Sequence, residues 1–463
     1  MSGGHISRDP RTLNLNSEEA GSGDLVVYWM QASQRILHNH ALDAAIHKAN
    51  ALKLPLVVFF GIKEDYPEAN ERHFMFMLQG LSEVREKLEV KKVQMVVRRV
   101  EPVLGAIELS KEAAYLFCDR GYLRHQVEWR KRLAEEVQCP LVQVETDLII
   151  PAETLAEKEM YSAATLRPRI NRLLDDFMIA PEEPDVKLSS LDLSFDSMET
   201  DDVGNVIKGL DLDRSVKFID WIGGGTSGAL STFKNFIENK LARYHIDRND
   251  PGGDIQSGMS PYLHFGQISP LTLALIISEM GGPGSEAYLE ELVVRRELAF
   301  NFVHYNGQYD SIDCLPGWAA ETLCLHEGDS RDYIYNREEL ERADTHDPFW
   351  NAAQKEMRLT GKMHNYMRMY WGKKLLEWMG EPAEAFKTAL YLNNKYSLDG
   401  RDPNSYAGVA WCFGKHDRPW TERPIFGKVR YMNDRGLLRK FNMDRYIERV
   451  SSMEERDVPL SYH

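Results

Sequence analysis

Short apolar runs and amphipathic stretches alternate along the chain from Asp24 to Thr146. LVVYWM (25–30) reads as a buried strand and LPLVVFFGI (54–62) as a second. VQMVVRRV (93–100), AAYLFCD (113–119) and PLVQVET (140–146) supply three more. Near-continuous apolar runs suit strands covered on both faces. Helical spacing fills the intervals at about 34–52, 71–88 and 122–137. Strands alternating with helices predict a doubly wound parallel sheet, with ligands expected beyond the carboxyl ends of the strands. The first strand is followed by MQASQR, not GxGxxG, which argues against a nicotinamide dinucleotide there.

The pattern weakens after Glu145. PEEPDVKLSSLDLSFDSMETDD (181–202) is acidic and rich in Pro and Ser, the composition of an interdomain connection. After Asp220 strand signals vanish, and helical periodicity runs on with stops at GGPG (281–284), NGQYD (306–310) and LDGRDPN (398–404). The expected organisation is a disordered polar leader at 1–23, an α/β domain at 24–150, a linker at 151–214 and an all-α domain at 215–463.

A hydrophobic fraction of 43% suits a soluble globular protein, and no apolar run reaches the length of a membrane span. No basic region followed by an apolar stretch opens the chain, so a cytoplasmic or nuclear location is expected. The five cysteines (118, 139, 314, 324, 412) form no CxxC, which suggests a reducing compartment and neither a disulfide framework nor a zinc site. GGGTSG (223–228) lacks the Lys-Ser or Lys-Thr of a phosphate loop and reads as a turn before a helix. The histidines show no metal-ligand spacing, and GxSxG is absent. A net charge of −15 argues against a uniformly basic nucleic-acid binder. One local exception is the segment 415–445, which carries nine basic residues against Asp417, Glu422, Asp434 and Asp444. It is either a solvated face or a phosphate-binding one.

Residues 345–420 hold Trp350, Trp371, Trp378, Trp411 and Trp420, five of the nine tryptophans, interleaved with Arg368, Asn393, Asp399, Arg401 and Asp402. Trp371 and Trp378 are seven apart, two turns along one helical face. Aromatics at helical spacing are commonly core, whereas aromatics mixed with buried-type polar groups suit a large flat cofactor.

Four segments carry a resemblance: SPYLHFGQIS (260–269), GKMHNYMRMYWGKKLLEW (361–378), LNNKYSLDGRDPNSYAG (392–408) and RPIFGKVRYMN (423–433). In this order they strongly resemble class II cyclobutane pyrimidine dimer photolyases, and the likeness runs from about Asp24 to Ile447. The resemblance implies an α/β domain that often holds an antenna chromophore, of deazaflavin type or another, or none. It further implies a helical domain holding FAD, UV-damaged DNA as partner, and a monomer. Light-excited reduced FAD would donate an electron to the dimer and recover it after the ring splits.

Carried over residue by residue, the resemblance assigns Tyr244, Ser257, Gly258, Met259 and Ser260 to the flavin phosphates. It sets Asn393 before the flavin N5, Arg368 and Asp399 beside the ring as an ion pair, and Gly400 and Arg401 on the same turn. Glu291 would hydrogen-bond the dimer, Arg248 and Asn249 would sit at the DNA-facing mouth, and Met369 and Trp411 would wall the dimer pocket. Trp350, Trp371 and Trp378 would pass electrons from the surface to oxidised FAD. Arg439 and Lys440 are the phosphate contacts expected from the basic segment. Two departures stand out. Phe300 replaces the family's usual Asp and Arg295 stands where some members have Trp, both expected at the dimer pocket. The stretch WCFGKHDRPW is also one residue short near Gly414. The alternatives are a cryptochrome-like photoreceptor without repair activity and a flavin-containing DNA-binding protein without light chemistry.

Overall fold

In the computed structural model, which describes residues 9–457, five parallel strands form the sheet read from the sequence. They are β2 (Leu25–Trp29), β3 (Leu56–Ile62), β4 (Gln94–Arg99), β5 (Ala113–Asp119) and β6 (Leu141–Val144). A sixth, β1 (Thr12–Asn14), adds antiparallel to β6, giving the order β1-β6-β5-β2-β3-β4. The expectation of a disordered leader therefore fails for its described part. Arg11 is the cause: its buried guanidinium donates to Leu148 O (2.9 Å) and Ile149 O (2.5 Å) and anchors the segment across the sheet edge. Three residues, only partly buried, leave too short a pattern to read as a strand.

Four helices, α1 (His40–Leu52), α2 (Glu71–Val90), α3 (Pro102–Ser110) and α4 (Arg124–Glu136), cover the two faces. The first starts six residues later than its periodicity suggests. Residues 31–33 instead donate their backbone N–H groups to Asp119 Oδ2 (2.9–3.0 Å), and Asn39 caps the helix through Ala41 N and Leu42 N. The short, apolar α3 was not legible. It packs closely because Gly105 has no Cβ, which would lie 2.3 Å from the Phe59 ring.

The linker is more ordered than its composition suggests. It carries helices at Ala152–Leu155, Ala163–Phe177 and Val203–Gly209. Its acidic part runs along the free edge of β4, where Ser190 Oγ and Ser197 Oγ accept from Gln94 N (2.7 Å) and Val97 N (3.0 Å). An uncovered edge strand invites pairing with another chain, and this segment occupies it.

The remaining regular elements among the described residues are helices, joined by irregular segments. Arg72 of α2 ties the halves together, donating to Lys217 O (2.9 Å), Tyr396 O (2.8 Å) and Arg358 O (2.5 Å). The carbonyls of Arg358 and Tyr396 lie at or near helix C-termini, where no intrahelical donor is left and a cation is favoured. Among the described residues no helix is long and apolar enough to cross a membrane.

Candidate functional site

A cavity of about 1340 Å³ opens in the helical half. Its wall includes Ser257 and Gly258, and the cations Lys240, Lys355, Arg358 and Lys362. Lys240 pairs with Asp254 (2.8 Å). Lys362 has no carboxylate within ion-pair distance among the described residues, and burial lowers its ammonium below the ordinary value. Gly258 adopts a left-handed backbone (φ +74°) against Thr232, where a side chain would be strained and crowded. Volume, charge and close backbone approach suit a large anionic ligand. Of the other residues expected at phosphates, Tyr244 packs between Phe236 and Tyr288, Met259 is buried, and Ser260 is exposed; none lines this cavity.

Helix Asn365–Trp378 brings the next group together. Arg368 Nη2 lies 3.3 Å from Asp399 Oδ1, both side chains about 15% exposed. Asn393, fully enclosed, donates to Ser405 Oγ, while its Oδ1 accepts only from Ser397 Oγ at 3.4 Å. Gly400 turns the chain tightly, since a Cβ would lie 2.8 Å from Asn394 Cα. Arg401, at φ +60° on the same turn, donates its guanidinium to Asn394 O and to Glu68 O (3.4 Å) beside the sheet half.

Three buried tryptophans form one run. Trp350, on helix Pro348–Thr360, stacks on Trp371 (centroids 6.3 Å, planes 8° apart) and meets Trp378 edge-on at 5.5 Å. Trp371 Nε1 donates to Gln354 Oε1 (2.9 Å) and Trp350 Nε1 to Trp371 O (3.0 Å), which fixes both rings. Trp378 is only 2% exposed, so it does not reach the surface itself. Beyond it lie Tyr335 and His346, each 5.3 Å away, and His346 stacks on Tyr333, which is 48% exposed.

Glu291 sits in a π-helical turn, Glu290–Arg295, a local widening common at functional sites. Arg248 Nη1 contacts Glu291 Oε1 at 2.5 Å, while Arg295 pairs with Glu290 (3.2 Å). The cation beside Glu291 is thus Arg248, not Arg295, and Asn249 is exposed next to it. Helices Asn365–Trp378 and Pro403–Cys412 touch at Gly372, where a Cβ would lie 2.6 Å from Cys412 Sγ. That contact leaves Met369 and Trp411 half-buried on adjoining helices.

The basic segment is not one face. Lys415 is buried, pairs with Glu159 and donates to Cys314 O. Arg439 and Lys440 are exposed on helix Asp434–Lys440, and Lys440 Nζ bonds Tyr366 OH (3.0 Å) at the start of the Arg368 helix. Trp420, 41% exposed, has the guanidinium groups of Arg418 (5.5 Å) and Arg430 (5.0 Å) over its ring, a surface arrangement that charge counting did not single out.

A second cavity, of about 160 Å³, lies at the carboxyl ends of the strands, between the halves. Trp29 Nε1, both amide atoms of Gln31 and Gln34 Oε1 are buried there without partners. Gln31 and Gln34 belong to the MQASQR stretch, so the strand-end rule located this site although no glycine motif marked it. Phe300 lines this cavity, edge-on to Tyr122 (5.1 Å) and under Arg296, rather than the surroundings of Glu291.

The architecture is that of the photolyases and cryptochromes. A class III photolyase from Agrobacterium tumefaciens superposes with a TM-score of 0.71 at 18% identity, covering 94% of this chain and 88% of that one. A Synechocystis cryptochrome gives 0.67 at 14%, covering 92% and 86%. In sequence, the family described as DNA photolyase matches residues 26–187. A deoxyribodipyrimidine photo-lyase from Methanothermobacter thermautotrophicus is 53% identical over 96% of this chain and 98% of its own length. One from Potorous tridactylus is 39% identical over 92% and 81%. The chain belongs to the DNA photolyase family, a family of enzymes.

Proposed function

We propose that this protein is a class II enzyme that splits cyclobutane pyrimidine dimers in DNA under light, using FAD held in the helical half. The observation that carries the reading is the buried run of Trp371, Trp350 and Trp378, which starts one helical turn from Arg368. In a DNA-binding protein without light chemistry these rings would serve only as core packing. When bound in its reduced form and excited by light, FAD supplies an electron to the dimer and takes it back after the ring opens.

The chain's own groups do the remaining work. The wall of the large cavity holds the anionic ligand: the unpaired Lys362 ammonium favours phosphate, and Gly258 lets backbone approach. Arg368, steadied by Asp399, sets a cation where negative charge is wanted on the ring. Asn393 can donate or accept, so it serves either protonation state of the ring nitrogen it faces. Glu291, held by Arg248, meets the dimer carbonyls, and Met369 and Trp411 wall the flipped bases, with Trp411 offering a stacking face. The three tryptophans pass electrons inward to reactivate oxidised cofactor. Arg439 and Lys440 take phosphates. In the second cavity, the unpartnered Gln31, Gln34 and Trp29 groups support a flat antenna pigment with polar edges, such as a deazaflavin.

The test is direct. Purified protein should carry a flavin spectrum, and blue light should restore the absorbance of a dimer-containing oligonucleotide. Flavin that photoreduces without repair points to the photoreceptor reading, which the structural likeness to a cryptochrome keeps in view. A colourless protein that takes up no FAD ends both.

A further inference from the structure

Helix Asn365–Trp378 carries Arg368, Met369 and Trp371, and its cap is His364 in place of the short polar residues preferred there. His364 is 3% exposed. Its Nδ1 accepts from Tyr366 N (3.2 Å), and its own backbone N–H donates to Glu356 Oε2 (3.1 Å). That carboxylate also accepts from Tyr446 OH (2.8 Å) and Arg449 Nη2 (2.6 Å). A ring nitrogen that accepts carries no proton, so in the neutral ring the proton sits on Nε2. This nitrogen faces Gln256 Nε2 (3.2 Å) and the carbonyl of Arg248. Gln256 Nε2 donates to the same carbonyl (2.6 Å). Two donors converging on the two lone pairs of one oxygen account for the short gap between the two nitrogens. Arg248 closes helix Leu241–Asp247, so its carbonyl has no donor within that helix. Burial lowers the His364 imidazole to about 4, with Lys362 and Arg449 adding to the effect and Glu356 and the Arg248 carbonyl opposing it, so the ring is neutral at pH 7.

We propose that His364 is a positioning residue that ties the Arg368 helix to the Arg248–Glu291 pair, Nδ1 fixing the start of the helix and Nε2–H fixing the backbone of Arg248. The inference rests on the repair reading above. Arg368 N bonds the His364 carbonyl (2.9 Å) one turn into the helix, and Arg248 Nη1 lies 2.5 Å from Glu291 Oε1. The cation set beside the flavin ring and the carboxylate that meets the dimer are thus referred to one buried ring. A short polar cap would serve its own helix alone; the imidazole has a second nitrogen on the far side, which reaches the other element. Orientation between reacting partners is what such a tie preserves, and small displacements there are costly.

The experiment uses the full-length protein with FAD bound. His364→Asn keeps an acceptor for the helix cap but has no second ring nitrogen for Arg248. Its preference for dimer-containing over intact DNA should fall about fivefold, the usual loss for one buried hydrogen bond, with the flavin spectrum unchanged. Because His364 acts through Arg248 and Glu291, the same change made in Glu291→Ala should cost little further preference. A purely structural role predicts the same factor in both backgrounds. One measurement needs no variant: magnetic resonance of isotope-labelled histidine should show the His364 ring as the Nε2–H form at neutral pH. An Nδ1–H ring, equal factors in the two backgrounds, or unchanged preference in both His364→Asn and His364→Ala overturns the inference. So does loss of FAD affinity with dimer preference intact, which would make the ring, bordering the large cavity beside Gln256, a wall for the cofactor only. A parent without preference for dimer-containing DNA would remove the repair reading and this inference with it.

Discussion

Glu297 offers a sharp test of how the two halves are joined. It lies on helix Arg296–Tyr305, is 2% exposed, and its Oε1 accepts from Ile149 N and Ile150 N, both at 3.0 Å, just beyond β6. Its Oε2 has no partner. Burial raises this carboxyl to about 8, against the pull of the two N–H groups and Arg296 and with a push from Glu145. The folded protein therefore keeps Glu297 protonated at neutral pH, while the unfolded chain ionises near 4.3. The sign follows: this group's contribution is whole below the unfolded value and is lost as pH rises toward 8, then stays flat. At about 1.4 kcal/mol per pH unit the loss is at most about 5 kcal/mol, and about 2–4 kcal/mol once partial relaxation is allowed. Glu297→Gln keeps the shape and the acceptor but cannot ionise. Thermal unfolding of parent and variant should differ little at pH 5 and by a few degrees in favour of Gln at pH 8. Taking the difference cancels the other titrating groups. An offset that is equal at both pH values, or a variant less stable at pH 8, refutes the reasoning.

Trp371→Phe should slow light-driven reduction of oxidised flavin severely, because Phe is much harder to oxidise, while repair by dithionite-reduced enzyme persists; parental photoreduction would show that electrons take another path. Glu291→Ala should lower the repair yield per absorbed photon in single turnover more than it weakens binding of damaged DNA, and full yield would remove Glu291 from the dimer site. Replacing Arg439 and Lys440 together by Ala should make the log–log salt dependence of DNA binding shallower by about two, the release expected from two phosphates, with the flavin spectrum unchanged. An unaltered slope would move the DNA face, with Trp420 beside Arg418 and Arg430 the next place to look.

The five parallel strands and the helical second half were legible because burial on both faces, or along one stripe, writes a local period into the chain. The seven-residue spacing of Trp371 and Trp378 was legible for the same reason, and the motif resemblance pointed to Arg368, Asn393 and Asp399. Other features depend on distant segments meeting, which no local period records. Trp350 joins Trp371 to Trp378 only because two helices pack side by side. Arg248 rather than Arg295 reaches Glu291 because neighbouring helical residues face different sides, Glu290 toward Arg167 and Arg295 and Glu291 toward Arg248. Arg401 reaches Glu68 O from a left-handed residue, and Phe300 falls in the second cavity rather than beside Glu291. The described part of the leader gains the strand Thr12–Asn14 because Arg11 finds carbonyls more than 130 residues away, and the acidic linker becomes the cover of an edge strand. Composition reports how a segment interacts with water; only the tertiary structure determines which backbone groups it meets instead.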